Sequence, residues 1–368
     1  MSQQRKTLPA EDGFSMPGEH QPHSEVWMSW PMRPDNWRMG AKYAQQAFVA
    51  VASAIARRTP VVMLVNHAQY ANARMQLPAQ IKVVEMSYND CWMRDMGATY
   101  LLNQAQQRRG VSWQFNAWGG LVDGLYFPWD LDNAVAEKML NLTEDDIYCA
   151  PFILEGGSIH SDGEGTLYTT EECLLHPSRN PGLSKRQIET HLQNYLGIDK
   201  VVWLPQGLYD DETNGHVDNI MHVVKPGEVV LTCCDDPSDP QYAISKKAYQ
   251  VLSSQSDAKG RAIKIHQLPM PGPLYMSEQE AEGIEPSAGM KRQAGERLGA
   301  SYANFLISNG QVIFPLLDER TDQQARDVLQ QAFPEHQLIG VEAREIVLGG
   351  GNIHCITQQI PRSKSLAG

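Results

Sequence analysis

The sequence predicts an α/β fold assembled from a repeated unit arranged radially, and three observations predict it. Three stretches share one order of parts: a turn glycine, an apolar strand, a polar loop, an amphipathic helix and a second apolar strand. They run over 165–205 (GTLYTT to KVVWLP), 227–269 (GEVVLT to AIKIHQLP) and 310–341 (GQVIFP to QLIGV). The N-terminal part carries a related pattern. A short core, L-x-G-G-x-I-H, occurs twice, in LEGGSIHSDG at 154–163 and LGGGNIHCIT at 348–357.

In the N-terminal part QQAFVAVASAIARR reads as a helix, PVVMLVN as a strand, 68–76 as a second helix and IKVVEM as a strand. Ile188, Leu192, Tyr195 and Leu196 fall on one face of the first repeat's helix. Ala325, Val328, Leu329, Ala332 and Phe333 do so in the third at i, i+3, i+4, i+7 and i+8. These are packing faces, not cofactor boxes. One mixed sheet with helices on both faces would satisfy the same helices and strands. The two glycine-rich cores, at equivalent ends of their units, favour the radial arrangement, with the loops on one shared face. No Pro-, Gly- or Ser-rich linker divides the 368 residues, so one domain over 1–368 is expected.

Composition excludes several classes. No apolar run approaches the roughly 18 to 20 residues of a membrane span. The N-terminus MSQQRKTLPAEDGF lacks the apolar core of a secretory signal, so a cytoplasmic location is expected. Lys and Arg total 31 against 43 Asp and Glu, a formal charge of −12, which disfavours a nucleic-acid surface and suits a small cationic partner. The six cysteines show no CxxC pair and read as reduced thiols. HQPH at 20–23 is the nearest approach to a local metal pair, but no matching pair follows at zinc spacing, so no metal is expected.

Four turn-like stretches carry polar residues that folding alone does not require: YNDCWMRDMGATY (88–100), LEGGSIH (154–160), DDETNGHVDN (210–219) and GGGNIHC (349–355). Cys355 follows a glycine run where backbone and thiol can approach a ligand closely; the alternative is a small buried apolar side chain. His216 and Asp218, two apart, would share a face if the segment is a strand, and a histidine near neutrality is what a thiol nucleophile needs; a surface turn is the plainer reading. Asp95 and Glu155 add carboxylates, which alone could be an ion pair with Arg94 and a cap. Several carboxylates around one thiol oppose a thiolate, which fits poorly with a protease. They fit a substrate that brings a delocalised positive charge, and a guanidinium is planar, forked and bidentate toward carboxylates.

YNDCWMRD, LEGGS, DDETNGHVDN and GGGNIHCITQQIP, in this order and with PGEHQPHSEVWMSWP near the N-terminus, resemble the agmatine deiminases of the guanidine-modifying superfamily. The resemblance spans essentially the whole chain. It implies a five-bladed, pseudo-fivefold α/β propeller (the pentein fold) and hydrolysis of agmatine to N-carbamoylputrescine and ammonia, a step toward putrescine, with no cofactor. Within it Cys355 matches the nucleophile and His216 the acid/base, while Asp95, Glu155 and Asp218 match the acids around the guanidinium. A homodimer is implied as well. Cys91, Met96 and Ala98 depart from the family's usual first motif, around Asp95 without replacing it. The loops offer Asp90, Asp210, Asp211 and Glu212 to an amine tail, and Trp92 suits its methylene chain. Arg94 is the one residue here able to recognise a substrate carboxylate, although its neighbour Asp95 gives it a simpler ion-pair role. Rival readings are a peptidylarginine or free-arginine deiminase, an amidinotransferase, and a non-catalytic ligand binder.

Overall fold

Five separate sheets make up the β structure of the computed structural model, which describes residues 2–290 and 292–364. Their number equals that of the expected blades. Each follows one plan. An inner strand lies antiparallel to a second strand, which lies parallel to a third after a helical crossover. The clearest copy pairs Met221–Lys225, Glu228–Cys233 and Lys264–Pro269, with helix Pro240–Ser254 as the crossover. The next pairs Leu306–Ser308, Gln311–Leu316 and Gln337–Glu342 around helix Asp322–Ala332.

Two copies are harder to see in the sequence. Thr99–Asn103, Arg108–Gln114 and Asp146–Ile153 form a unit whose crossover is stretched by a long loop before helix Val135–Leu142. The fifth is split between the ends of the chain: Gln358–Pro361 pairs antiparallel with His23–Ser29, which is parallel to Val61–Val65 and so to Lys82–Glu85. That closure ties the C-terminal strand to the N-terminal one. Scanning contiguous stretches cannot find it.

Local chemistry accounts for the elements. All five residues of Val61–Val65 are buried, as a continuous apolar run in parallel pairing between two neighbours must be. Helix Lys185–Leu196 begins where the Gln187 side chain accepts the Ser184 N–H at 2.9 Å. It ends at Gly197, left-handed at φ +60°. Its buried residues are Ile188, Leu192, Tyr195 and Leu196, the face the periodicity predicts. Helix Asp322–Ala332 buries Ala325, Leu329 and Ala332. Among the described residues no helix is long and apolar enough to cross a membrane.

Function follows from one consequence of this plan. The segment just before each inner strand points into the same region. These five segments carry Asp95, Gly157, Asp218, Asn304 and Cys355, each two to four residues ahead of its strand.

Candidate active site

Cys355 is buried, 5% exposed, in the turn leading to Gln358–Pro361. Asn304 organises that turn. Its Oδ1 accepts the backbone N–H of His354 at 2.8 Å and of Cys355 at 3.3 Å, and its Nδ2 donates to the Cys355 Sγ at 3.1 Å. The thiol also faces Asp218 Oδ2, at 3.8 Å. Burial, then Asp218 and Asp95, push the thiol well above its usual range, so the resting side chain is protonated.

The glycine run has a steric purpose. At Gly351 a Cβ would lie 2.4 Å from the Trp92 ring and 3.1 Å from the Cys355 Cβ. At Gly350, with φ +99°, it would lie 1.8 Å from Glu212 Oε1. The echoed turn at 154–160 is not an identical copy: His160 sits in a strand and His354 in the turn before one. The two histidines of the echo nonetheless meet, with ring centroids 5.0 Å apart.

His216 and Asp218 are not in a strand. His216 caps the four-residue helix Val217–Ile220, and Asp211 forces this: its Oδ2 accepts the His216 N–H at 3.0 Å and Asn219 Nδ2 at 3.1 Å, folding DDETNGH into a compact turn. Both side chains still face one point, marked by Gly157. A Cβ there would lie 2.6 Å from His216 Nδ1, 2.8 Å from Asp95 Oδ1 and 3.0 Å from Asp218 Oδ2.

Each carboxylate is held differently. Glu155 Oε1 accepts from Arg179 Nε at 2.7 Å, both groups fully buried, and its Oε2 makes no hydrogen bond among the described residues. Asp218 Oδ2 accepts from His354 Nδ1 at 2.8 Å, and its Oδ1 is open in the same sense. Asp95 accepts from two neutral donors, Gly157 N at 2.8 Å and Trp118 Nε1 at 3.0 Å. With no cation among the described residues hydrogen-bonded to it, Asp95 is pushed up to about 6, chiefly by burial, against the pull of His216 and helped by Asp218 and Glu155. At Asp218 the hydrogen bond and charge of His354 overcome burial and lower the carboxyl.

His216 lies between two of these acids, Nδ1 3.8 Å from Asp95 Oδ1 and Nε2 3.9 Å from Glu155 Oε2, and among the described residues neither nitrogen makes a hydrogen bond to an oxygen or nitrogen. Burial disfavours an imidazolium. Asp95, the Cys173 thiol and Glu155 outweigh it and hold the ring well above its ordinary range. The chamber therefore holds an imidazolium ready to donate and carboxylate oxygens ready to accept.

Other expectations need correction. Arg94 does not pair with Asp95. It turns away, bonding Gln359 Oε1 at 2.7 Å and the His354 carbonyl at 3.3 Å, with Nη2 3.7 Å from Glu19 Oε2. Glu212 is not an open carboxylate, because Arg292 clamps both of its oxygens at 2.8 Å. Asp90 is buried beside Arg33 and Asp211 is spent on its own loop, so neither is available to a ligand's amine. Asp210 and Glu212 do line an open cavity of about 840 Å³ outside the Gly350 turn, with Asp123, Glu172 and Glu296. Trp92 is buried against Gly351, its ring 5.5 Å from Trp37 and 6.5 Å from Trp118. Asn304, Arg179 and Trp118 escape sequence reasoning. Asn304 was reachable only by carrying the loop-before-strand register into the fourth unit.

Two groups have donor atoms within 4.8 Å of one another: Glu155, Cys173 and His216, and Glu19, His160, His222 and His354. A cation at the first would displace the chamber's own proton donor. At the second, Glu19 and His354 are already bonded to each other at 2.8 Å, and the Arg94 guanidinium beside them opposes further positive charge.

A buried thiol, an imidazole held charged by acids and open carboxylate oxygens on an α/β frame of five sheets define a candidate guanidine-modifying catalyst. The chain belongs to the family of Porphyromonas-type peptidyl-arginine deiminases, whose model matches residues 15–361. It is 62% identical over 366 residues to a "putative agmatine deiminase" of Marinomonas sp. (strain MWYL1), covering 100% of this chain and 99% of that one. The solved agmatine deiminase of Enterococcus faecalis shares the fold at a TM-score of 0.95 and 47% identity, over 98% of this chain and 100% of that one. A substrate-bound cysteine-to-serine variant of the C. jejuni agmatine deiminase aligns at a TM-score of 0.82 and 27% identity, over 95% of this chain and 97% of that one.

Proposed function

We propose that this chain hydrolyses agmatine to N-carbamoylputrescine and ammonia, a step from arginine toward putrescine, through an amidino adduct on Cys355. The observation that carries the reading is the convergence of Asp95 Oδ1, Asp218 Oδ2 and His216 Nδ1 on one point above Gly157, with the Cys355 Sγ 3.8 Å from Asp218. The relatives' names agree with it, and the C. jejuni complex retained its substrate in a cysteine-to-serine variant.

The steps follow from charge. The guanidinium enters a chamber of carboxylates, and its positive charge lowers the cost of ionising Cys355, whose proton leaves to solvent. The thiolate attacks the central carbon and gives a neutral tetrahedral adduct. The His216 imidazolium protonates one nitrogen, the C–N bond breaks and ammonia departs, leaving an amidino-thioether. Water then attacks that carbon while neutral His216 takes one of its protons; the C–S bond breaks, the remaining hydroxyl proton passes to the departing thiolate, and the ureido product leaves with Cys355 restored as a thiol. Asp95, Asp218 and Glu155 hold the guanidinium throughout and supply the geometry.

Trp92, beside the Cys355 turn, is assigned to the methylene tail of the substrate, whereas Glu212, neutralised by Arg292, shapes the rim of the outer cavity and does not pair with the amine. Site residues come from loops between Asp95 and Cys355, so the chain works as one domain. That it acts in the cytoplasm is part of the same proposal, and that it does so as a homodimer rests on the family resemblance alone. A parallel assay of agmatine, arginine and a peptidyl-arginine, following ammonia and ureido product, tests the reading. Agmatine turnover far above the other two is expected; preference for either arginine substrate would overturn the substrate assignment.

A further inference from the structure

Behind Asp218 runs a row of three buried charged side chains, His354, Glu19 and Arg94, that the proposed steps do not use. His354 Nδ1 is 2.8 Å from Asp218 Oδ2, its Nε2 is 2.8 Å from Glu19 Oε2, and the Arg94 Nη2 is 3.7 Å from that same Glu19 oxygen. All four side chains are buried. A neutral imidazole has one N–H to give. Glu19 and Asp218 are both held below the ordinary carboxyl range despite burial, so each 2.8 Å contact joins a ring nitrogen to an ionised acid, both nitrogens carry hydrogen, and the row reads Arg94 plus, Glu19 minus, His354 plus, Asp218 minus.

We propose that Glu19 is a positioning residue for the deimination: it holds His354 as an imidazolium, which in turn keeps Asp218 ionised and aimed at the guanidinium. This rests on the deiminase reading and deepens it. Glu19 acts from one histidine away. It is anchored independently of that histidine, since its Oε1 accepts the Ile307 N–H at 2.8 Å and its carbonyl lies 2.8 Å from His23 Nε2.

The charged groups facing His354 are Glu19, Asp218 and Arg94, and the titratable ones are His160, His222 and the adjoining Cys355. The rings of His160 and His222 have centroids 5.0 Å from that of His354, and His222 Nε2 is 3.4 Å from Glu19 Oε1. Burial pushes both of these rings down, so they are neutral, whereas Glu19 and Asp218 outweigh burial and Arg94 to push His354 up. The cluster carries one imidazolium, and the acids choose which ring. An imidazolium bonded to Asp218 also offsets the repulsion between that carboxylate and a thiolate at Cys355, which a neutral ring would not do.

The test is ¹⁵N-histidine NMR of His354 across pH, run beside the pH dependence of kcat/KM for agmatine in the parent, Glu19→Gln, Glu19→Asp and His354→Asn proteins. Glu19→Gln keeps the shape and removes the charge. It is expected to lower the titration of His354 by about one unit or more, to move the alkaline limb of kcat/KM down by the same amount, and to cost about tenfold at pH 8, with Glu19→Asp restoring part of each. A Glu19→Gln protein with the parent's profile, a neutral His354 in the parent at pH 7, or a stoichiometric metal ion in the purified parent would overturn the proposal. If the Glu19→Gln protein does not fold, His354→Asn, which keeps a donor toward Asp218, is read the same way, and a parental profile there is equally fatal. Failure of the deiminase reading looks different: the parent releases no ammonia from agmatine while the NMR titration still responds to Glu19.

Discussion

The Asn304 side chain donates from Nδ2 to the Cys355 Sγ at 3.1 Å while its Oδ1 accepts the Cys355 backbone N–H at 3.3 Å, so one amide fixes both ends of the nucleophile's residue. It reaches the thiol from a different sheet, and its Nδ2 also donates to Asn219 Oδ1 at 2.8 Å. Through Asn304 the turn of His216 and the turn of Cys355 become one unit.

Asn304→Ala should therefore cost both activity and stability. It removes the acceptor of the Cys355 N–H and the donor to the thiol, at about 1–3 kcal/mol for each buried group left unsatisfied. A fall in kcat with a lower melting temperature is expected, measured by ammonia release and thermal unfolding. Parental kcat would show that the thiol needs no such clamp.

Asn304 also shows what could and could not be read in advance. Cys355, His216, Asp95, Glu155 and Asp218 stand beside glycines or in charged clusters, where packing gives no reason for them. Asn304 sits in SYANF, a stretch without charge or glycine, and Arg179 in SRNP reads as an ordinary turn. Their importance depends on contacts distant in sequence, 51 residues away for Asn304 and Cys355 and 24 for Arg179 and Glu155. Three units were legible as contiguous repeats. The fifth was not, because its inner strand is at the opposite end of the chain, and the misreading of His216 and Asp218 as strand neighbours came from a side chain, Asp211, that pulls the loop into a helical turn.

Gly157→Ala tests the convergence point. The new methyl would intrude on His216, Asp95 and Asp218 at 2.6–3.0 Å, and the backbone there is held by its own N–H to Asp95. A loss of at least about a hundredfold in kcat/KM with a cooperative unfolding transition is expected, since a small misplacement of catalytic groups costs on that order. A Gly157→Ala protein with parental activity would move the guanidinium site elsewhere.

Arg179→Leu tests the support behind Glu155. Removing one partner of a fully buried ion pair leaves the other charge uncompensated, at about 3–5 kcal/mol. Arg179 also donates to the Thr213 carbonyl at 2.8 Å, so the loop carrying His216 loses a tether. Denaturant unfolding should show a stability loss in that range; a loss under about 1 kcal/mol would show that the Arg179–Glu155 pair does not brace this loop.

The pH profile follows from Asp95. Its carboxyl, raised from 3.8 to about 6, is protonated below that value, so kcat/KM should be present above about 6 and fall as pH drops through it. Stability has the opposite sign. A raised acid favours the folded state fully below 3.8 and loses that contribution as pH rises through about 6. His216, raised above 6.5, adds stability that is full below 6.5 and lost as pH rises through its folded value. An acid limb below about pH 5 in kcat/KM would show that Asp95 is not the group that must ionise.

The central claim is that Cys355 carries the amidino group between two half-reactions. Acid-quenching the protein during agmatine turnover, weighing it intact and mapping its peptides tests this most directly. The account predicts a single amidino adduct on Cys355, absent from a Cys355→Ser protein that folds but releases no ammonia. Steady turnover with no adduct, an adduct on another residue, or sustained ammonia release by the Cys355→Ser protein would contradict it.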